Sequence, residues 1–218
     1  MEVFIRAIEV LRGVTLRLGP GEMVGLVGRN GAGKTTTIRA LMGLLPLKSG
    51  EIRIDGQHVR DLKPHQRAAL GIGYMPEDRR LVPQLTVEEN ILVPAWAMPH
   101  LDCQKRLEFA YDLLPEIAAM RSRKALLLSG GQQKLVALAR AMIAGTNALL
   151  LDEPFEGVAP ALSHRLSEVI GALRNEKLSI LIAQSDVNQS TKLLDRTYLI
   201  ERGANAAPPD LVIGQRRE

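Results

Sequence analysis

The sequence predicts an α/β fold with a mostly parallel sheet, a small antiparallel β layer and an inserted helical segment. Three observations carry this expectation. Short apolar runs alternate with helix-period stretches through the second half of the chain. Residues 22–28 (EMVGLVG) pass through a glycine-rich turn directly into a helix-period stretch at 34–45 (KTTTIRALMGLL). Between Thr86 and Leu128 one helix signal follows another with no strand between them.

The elements follow in order. Residues 22–28 read as a strand ending in glycine and 34–45 as the helix after it. In 49–56 (SGEIRIDG), Ile52 and Ile54 alternate with Glu51, Arg53 and Asp55 between two glycines, the pattern of a half-buried antiparallel strand. Residues 72–75 form another short strand, and 76–84 (PEDRRLVPQ) is polar and proline-bounded, hence a surface loop. Thr86 with Glu88 and Glu89 opens a helix, 101–114 supplies another, and the whole of 86–128 reads as the helical insertion. The alternation then returns: helix 132–144, strand 148–151, helix 161–173, and strands at 179–183 and 198–201. Residues 204–218, with Pro208 and Pro209, have no clear period and are expected to fray.

Composition bounds the function. With 218 residues, 46% hydrophobic and 24% charged, the chain is expected to be a single domain spanning 1–218. Aromatics make up 3%, so the core must come from Leu, Val, Ile and Ala. The net charge of +4 is spread along the chain, which speaks for a solvated surface and against a nucleic-acid track. Cys103 is the sole cysteine, so no intrachain disulfide can form and a reducing compartment fits. Charged residues interrupt every apolar run before the ~18 residues a membrane span needs. Glu2, Arg6 and Glu9 stand where a signal peptide would require an uncharged core, so the expected location is cytoplasmic.

Gly28-Arg29-Asn30-Gly31-Ala32-Gly33-Lys34-Thr35 satisfies the phosphate-binding loop pattern, with Thr36 continuing into the helix. Its glycines let successive backbone N–H groups point at phosphate oxygens, and the helix presents its positive dipole end to the same anion. Lys34 is expected to neutralise β- and γ-phosphate charge and the Thr35 hydroxyl to ligate Mg²⁺. The strand Leu149-Leu150-Leu151 ends in Asp152 and Glu153. At the carboxyl end of a parallel strand Asp152 suits the Mg²⁺ shell, and Glu153 reaches further, where a carboxylate orients or deprotonates water. Leu128-Ser129-Gly130-Gly131-Gln132 starts a helix and exposes backbone donors to an anion. One phosphate loop already serves the chain's own nucleotide, so this second site suggests a γ-phosphate delivered by another copy.

In this order and spacing, these three motifs resemble the nucleotide-binding domains of ABC transporters. Leu11-Arg12-Gly13-Val14, Met75-Pro76-Glu77-Asp78-Arg79-Arg80, Leu85-Thr86-Val87-Glu88-Glu89-Asn90 and Glu153-Pro154-Phe155-Glu156-Gly157-Val158-Ala159-Pro160 are similar to the ATP-binding subunit of branched-chain amino acid importers. Urea and short-amide importers share much of that pattern. The resemblance implies a phosphate-loop NTPase core that hydrolyses ATP with Mg²⁺. It implies a dimer, of identical chains or with a paralogue, sandwiching two ATP molecules between the loop of one chain and Ser129, Gly130, Gly131 and Gln132 of the other. It also implies membrane subunits pressed against loop 76–84 and the helical insertion, which would hold the chain on the inner face of the membrane.

Three departures from the family pattern stand out. Glu77 occupies the position where most relatives carry a glutamine that reaches Mg²⁺ and the attacking water, as it does in the branched-chain subfamily. Gln184 ends strand 179–183, where the family pattern places a histidine on the γ-phosphate; glutamine donates a hydrogen bond but cannot become cationic. The family's first edge strand and its adenine-stacking aromatic are expected to be missing, since Phe4 is the only aromatic before the phosphate loop. Trp96 is expected to be half-buried, and His58, His65, His100 and His164 to be surface residues without metal-ligand spacing. Two other readings stay open: a regulator that binds nucleotide without turnover, and a soluble ATPase of this family acting on nucleic acid or ribosomes.

Overall fold

A tight hairpin opens the chain. β1 (Glu2–Ile5) pairs antiparallel with β2 (Ile8–Arg12) across a turn in which Arg6 takes φ 56°. The edge strand expected to be missing is therefore present, compressed into the first five residues. The computed structural model describes residues 1–98, 100–185 and 192–206.

The next elements lead into the main sheet. β3 (Met23–Val27) is buried along its whole length and feeds α1 (Lys34–Leu41). β4 (Arg53–Ile54) and β5 (Gln57–His58) form a two-residue hairpin, shorter than the strand expected over 49–56, because the chain turns back at Asp55 and Gly56 with φ 50° and 79°. α2 (Pro64–Ala68) precedes β6 (Ile72–Met75).

Then come α3 (Val87–Trp96), α4 (Cys103–Leu113) and α5 (Pro115–Ala118), a 3-10 turn at Ala125–Leu127, and α6 (Gly130–Ala144). Thr86 caps α3 by accepting from the Glu89 N–H at 3.2 Å while Glu89 accepts from the Thr86 N–H at 2.7 Å, a reciprocal capping box. β7 (Ala148–Asp152), α7 (Pro160–Ala172), β8 (Ser179–Gln184), β9 (Arg196–Glu201) and β10 (Ala204–Asn205) complete the described chain. The expected fraying of the tail does not reach β10, which pairs with β9; residues 207–218 lie outside the described residues.

The main sheet runs β10-β9-β3-β8-β7-β6, parallel except for β10. Period-2 alternation splits its side chains between two cores. Leu149, Leu151, Ile180 and Ile182 face a core shared with α3, α4, α6 and α7. Leu150, Leu181 and Ala183 face the other, with α1 and the β1–β2 hairpin. α6 is buried on nearly every side, lying between β6 and the helices α3 and α4. Trp96 departs from expectation: it ends α3 65% exposed, while its neighbour Ala95 is buried in the core.

Candidate functional site

Three neighbouring parallel strands bring the site together. β3, β8 and β7 lie side by side in register, Val27 opposite Gln184 and Asp152 opposite Ala183. The residues that leave their carboxyl ends, the phosphate loop after Val27, Ser185 after Gln184 and Glu153 after Asp152, therefore converge, as ligand-binding residues do in open α/β sheets.

The loop's shape depends on its glycines. Gly33 sits at φ 111° and offers no side chain to cap α1, so the first N–H groups of the helix remain for an anion. A methyl group at Gly28 would meet the Ile200 carbonyl oxygen at 2.2 Å, so only glycine lets the loop start against β9. Arg29, Asn30 and Gly31 form the exposed bend, and the Ala32 N–H closes it on the Arg29 carbonyl at 3.0 Å. An open cavity of about 510 Å³ runs beside the loop, lined by 27–32, 199–202 and Ala206. A larger one, about 940 Å³, lies at the amino ends of the strands, remote from this chemistry.

Lys34 is the hub. Its buried ammonium donates to the Gly28 carbonyl at 2.7 Å, the Arg29 carbonyl at 3.2 Å and the Ser185 hydroxyl at 3.1 Å, and lies 3.0 Å from Glu153 Oε1. Glu153 is held from three sides. Its own N–H donates to the Ala183 carbonyl, its Oε2 accepts from the Ser185 N–H at 3.1 Å, and its Oε1 lies 2.6 Å from the Ser185 hydroxyl. Asn30 Oδ1 stands 2.7 Å from the same hydroxyl. Glu153 adopts φ 47°, a left-handed conformation uncommon for a side chain of this size.

Asp152 is fully buried. Its Oδ1 accepts from the Thr35 hydroxyl at 3.1 Å, while its Oδ2 has no hydrogen-bond partner among the described residues. Burial pushes its carboxyl up to about 6, the nearby charges of Glu77 and Glu153 adding to the effect and the Thr35 bond opposing it. An orphaned buried carboxylate oxygen beside a hydroxyl is a hard-oxygen donor set, which fits Mg²⁺. Glu77 is exposed on the loop after β6, close enough for its charge to act on Asp152. Thr36 lies half-buried in the first turn of α1.

The second candidate anion site is the start of α6. Ser129 caps the helix and accepts from the Gln132 N–H at 3.3 Å, while Gln132 Oε1 accepts from the Ser129 N–H at 3.0 Å. Gly130 is exposed, with the Arg79 guanidinium donating to its carbonyl at 3.3 Å; Gly131 is half-exposed. Among the described residues no hydrogen bond joins Ser129, Gly130, Gly131 or Gln132 to the phosphate loop.

At the end of β8 the group that reaches Lys34 and Glu153 is Ser185, the residue after Gln184. Gln184 is buried, and its main-chain carbonyl accepts from the Gly28 N–H at 3.3 Å. Ser185 carried no sequence signal, since a lone serine after a strand is commonplace. Phe4 packs under Lys48, whose ammonium sits 4.2 Å above the ring, rather than standing free for a base. His58, His65, His100 and His164 are exposed, as expected.

The sequence pattern described as ABC transporter matches residues 11–156. The chain belongs to the ATP-binding subunits of ABC transporters. This ABC ATPase is 38% identical over 197 residues to the lipopolysaccharide export system ATP-binding protein LptB of Haemophilus influenzae, covering 89% of the chain and 82% of that protein. It is 35% identical over 196 residues to the high-affinity branched-chain amino acid transport ATP-binding protein BraG of Pseudomonas aeruginosa, covering 90% and 84%. Among solved structures, an ATP-binding subunit of an ABC transporter superposes with TM-score 0.82 at 28% identity, covering 94% of the chain and 85% of that one. A dimeric ATP-binding cassette in a post-hydrolysis state with ADP and phosphate superposes at 0.80 and 24% identity, covering 92% and 90%, a likeness of fold. Among the described residues no helix of the ABC ATPase is long and apolar enough to cross a membrane.

Proposed function

We propose that this ABC ATPase hydrolyses Mg²⁺-bound ATP to drive a membrane importer whose cargo is a branched-chain or related amino acid. The observation that carries the chemistry is the convergence of Lys34, Glu153 and Ser185 on one side of the Thr35–Asp152 pair. Gly28, Arg29, Asn30, Gly31, Ala32, Gly33, Lys34, Thr35 and Thr36 cradle the phosphates. Thr35 and Asp152 hold the metal, with Glu77 reaching it from its loop; when bound, Mg²⁺ neutralises charge on the phosphate oxygens. Glu153 orients the attacking water and accepts its proton, and the Ser185 hydroxyl keeps the carboxylate aimed. Gln184 would donate a hydrogen bond to the γ-phosphate, without the charge that a histidine could bring.

Ser129, Gly130, Gly131 and Gln132 complete the site of a second ATPase chain, identical or paralogous; the exposed start of α6 and the dimeric relative support this reading. Membrane subunits would hold the chain on the inner face of the membrane, docking at loop 76–84 and the helical segment 86–128. ATPase rate measured against protein concentration tests the pairing: specific activity rises with concentration if two chains complete each site, and stays flat if one suffices.

The cargo reading is supported by the likeness to BraG and by the loop sequence around Glu77. The likeness to LptB supports a second reading, export of lipopolysaccharide. Cells lacking the chain decide between them: loss of labelled leucine uptake carries the first, and loss of surface lipopolysaccharide with leucine uptake intact carries the second.

A further inference from the structure

Lys134 lies on the second turn of α6, 5% exposed. Its ammonium donates to the carbonyls of Glu153 at 2.8 Å and Pro154 at 3.2 Å, and to that of Glu156. An ammonium has three N–H donors and no acceptor, so these three carbonyls saturate it. No carboxylate side chain forms an ion pair with it among the described residues, although Glu153, Glu156 and Glu77 are near enough to act on its charge. An unneutralised cation is a costly way to fill a core position that leucine or methionine would fill.

The three carbonyls belong to the turn leaving β7, where Glu153 takes its left-handed φ of 47°. A side chain at such a φ is strained and persists only where its surroundings hold it. Lys134 supplies that hold. It also rides on the helix whose first residues are Ser129, Gly130, Gly131 and Gln132, five positions or fewer away. The ammonium is thus a strut between the start of α6 and the backbone that aims the Glu153 carboxylate.

We propose that Lys134 is a positioning residue for ATP hydrolysis, setting the turn at Glu153 and carrying any displacement at the start of α6 to that carboxylate. The inference rests on Glu153 acting as the water-orienting base. Lys134→Met keeps the unbranched side chain out to Cε and removes every donor; Lys134→Arg keeps charge and donors. In the full-length protein, Lys134→Met should lower kcat by about 10²-fold, the effect of a misplacement of about 1 Å at a catalytic group, with KM for ATP unchanged within about twofold. In the nucleotide-free protein, hydrogen exchange at 153–156 should rise, and Lys134→Arg should recover kcat at least about tenfold over Lys134→Met.

A Lys134→Met protein that unfolds at the wild-type temperature and keeps wild-type kcat overturns the proposal, as does a kcat loss matched by the loss of folded fraction. If that variant does not fold, Lys134→Gln, with two donors, decides: a kcat below wild type at unchanged KM supports the strut, and wild-type kcat overturns it. Glu153→Gln is measured alongside. Full turnover there sinks the base assignment itself, whereas a dead Glu153→Gln beside a fully active Lys134→Met sinks the strut alone.

Discussion

Lys34 Nζ and Glu153 Oε1 lie 3.0 Å apart, their side chains 5% and 7% exposed, with the Ser185 hydroxyl within reach of both. The cation proposed to meet phosphate and the carboxylate proposed to orient water satisfy each other here. A pair so buried is stable only while both members are present. On the roles proposed above, nucleotide would exchange Glu153 for phosphate oxygens at Lys34 and leave the carboxylate free to act.

Replacing Glu153 by glutamine should separate these two roles. The nucleotide-free protein loses about 3 kcal/mol, since Lys34 keeps its burial and loses its anion. Turnover falls by at least about 10²-fold, the usual worth of a general base. ATP still binds, and it raises the unfolding temperature more than in the wild type because phosphate now supplies the missing charge. Calorimetry with and without ATP, paired with a phosphate-release assay, checks all three; an ATP-induced shift smaller than wild type would contradict the exchange.

Ser185→Ala removes a hydroxyl that stands between a cation and a carboxylate. It should destabilise the nucleotide-free chain by about 1 to 3 kcal/mol, the cost of leaving a charged group short of a partner. Hydrolysis at saturating ATP should slow by about tenfold or more as Glu153 loses one of its anchors. Chemical denaturation and single-turnover kinetics measure the two effects. Equal rates in variant and wild type would remove Ser185 from the chemistry.

Asp152 sets a pH window. Its carboxyl is raised from 3.8 to about 6 by burial, so the folded chain holds a proton there that the unfolded chain has released. Stability from this group is therefore greatest at low pH and declines as pH rises from about 4 to about 6. On its proposed metal role Asp152 would bind Mg²⁺ in the deprotonated form, so Mg²⁺-dependent ATP affinity should increase as pH rises through about 6. Titration calorimetry across that range, with Asp152→Asn as reference, should show the variant losing both dependences.

Arg67 tests what holds the phosphate helix from its far end. It is 2% exposed and donates to the carbonyls of Ala40 and Leu41, which end α1, and to those of Arg60 and Leu62. Arg67→Met should destabilise the fold by about 3 kcal/mol or more, because several buried carbonyls lose their donor at once. The loss should appear in urea unfolding with an unchanged slope. A change below about 1 kcal/mol would mean that water replaces the guanidinium.

The phosphate loop, the Asp152-Glu153 pair and the capped start at Ser129 were legible because each is contiguous and its chemistry depends on local order. The main sheet was legible for the same reason: runs such as 148–151 and 179–183 can be read as strands without knowing their neighbours. Ser185 and Lys134 were not, because their partners lie far away in sequence and meet them only after β7 and β8 have paired. The hairpin at β1 was missed because five residues and a left-handed Arg6 do what a longer strand and loop were expected to do.

Among the described residues, Arg67 and Lys134 are deeply buried cations, and both are answered by main-chain carbonyls. Carbonyl oxygens do not titrate. Acid that protonates carboxylates and dissolves ion pairs such as Arg165–Glu116 or Arg196–Glu22 leaves these two anchors untouched. Acidification should therefore spare the grip of α6 on the turn after β7 and the end of α1, which should be among the last structures to yield.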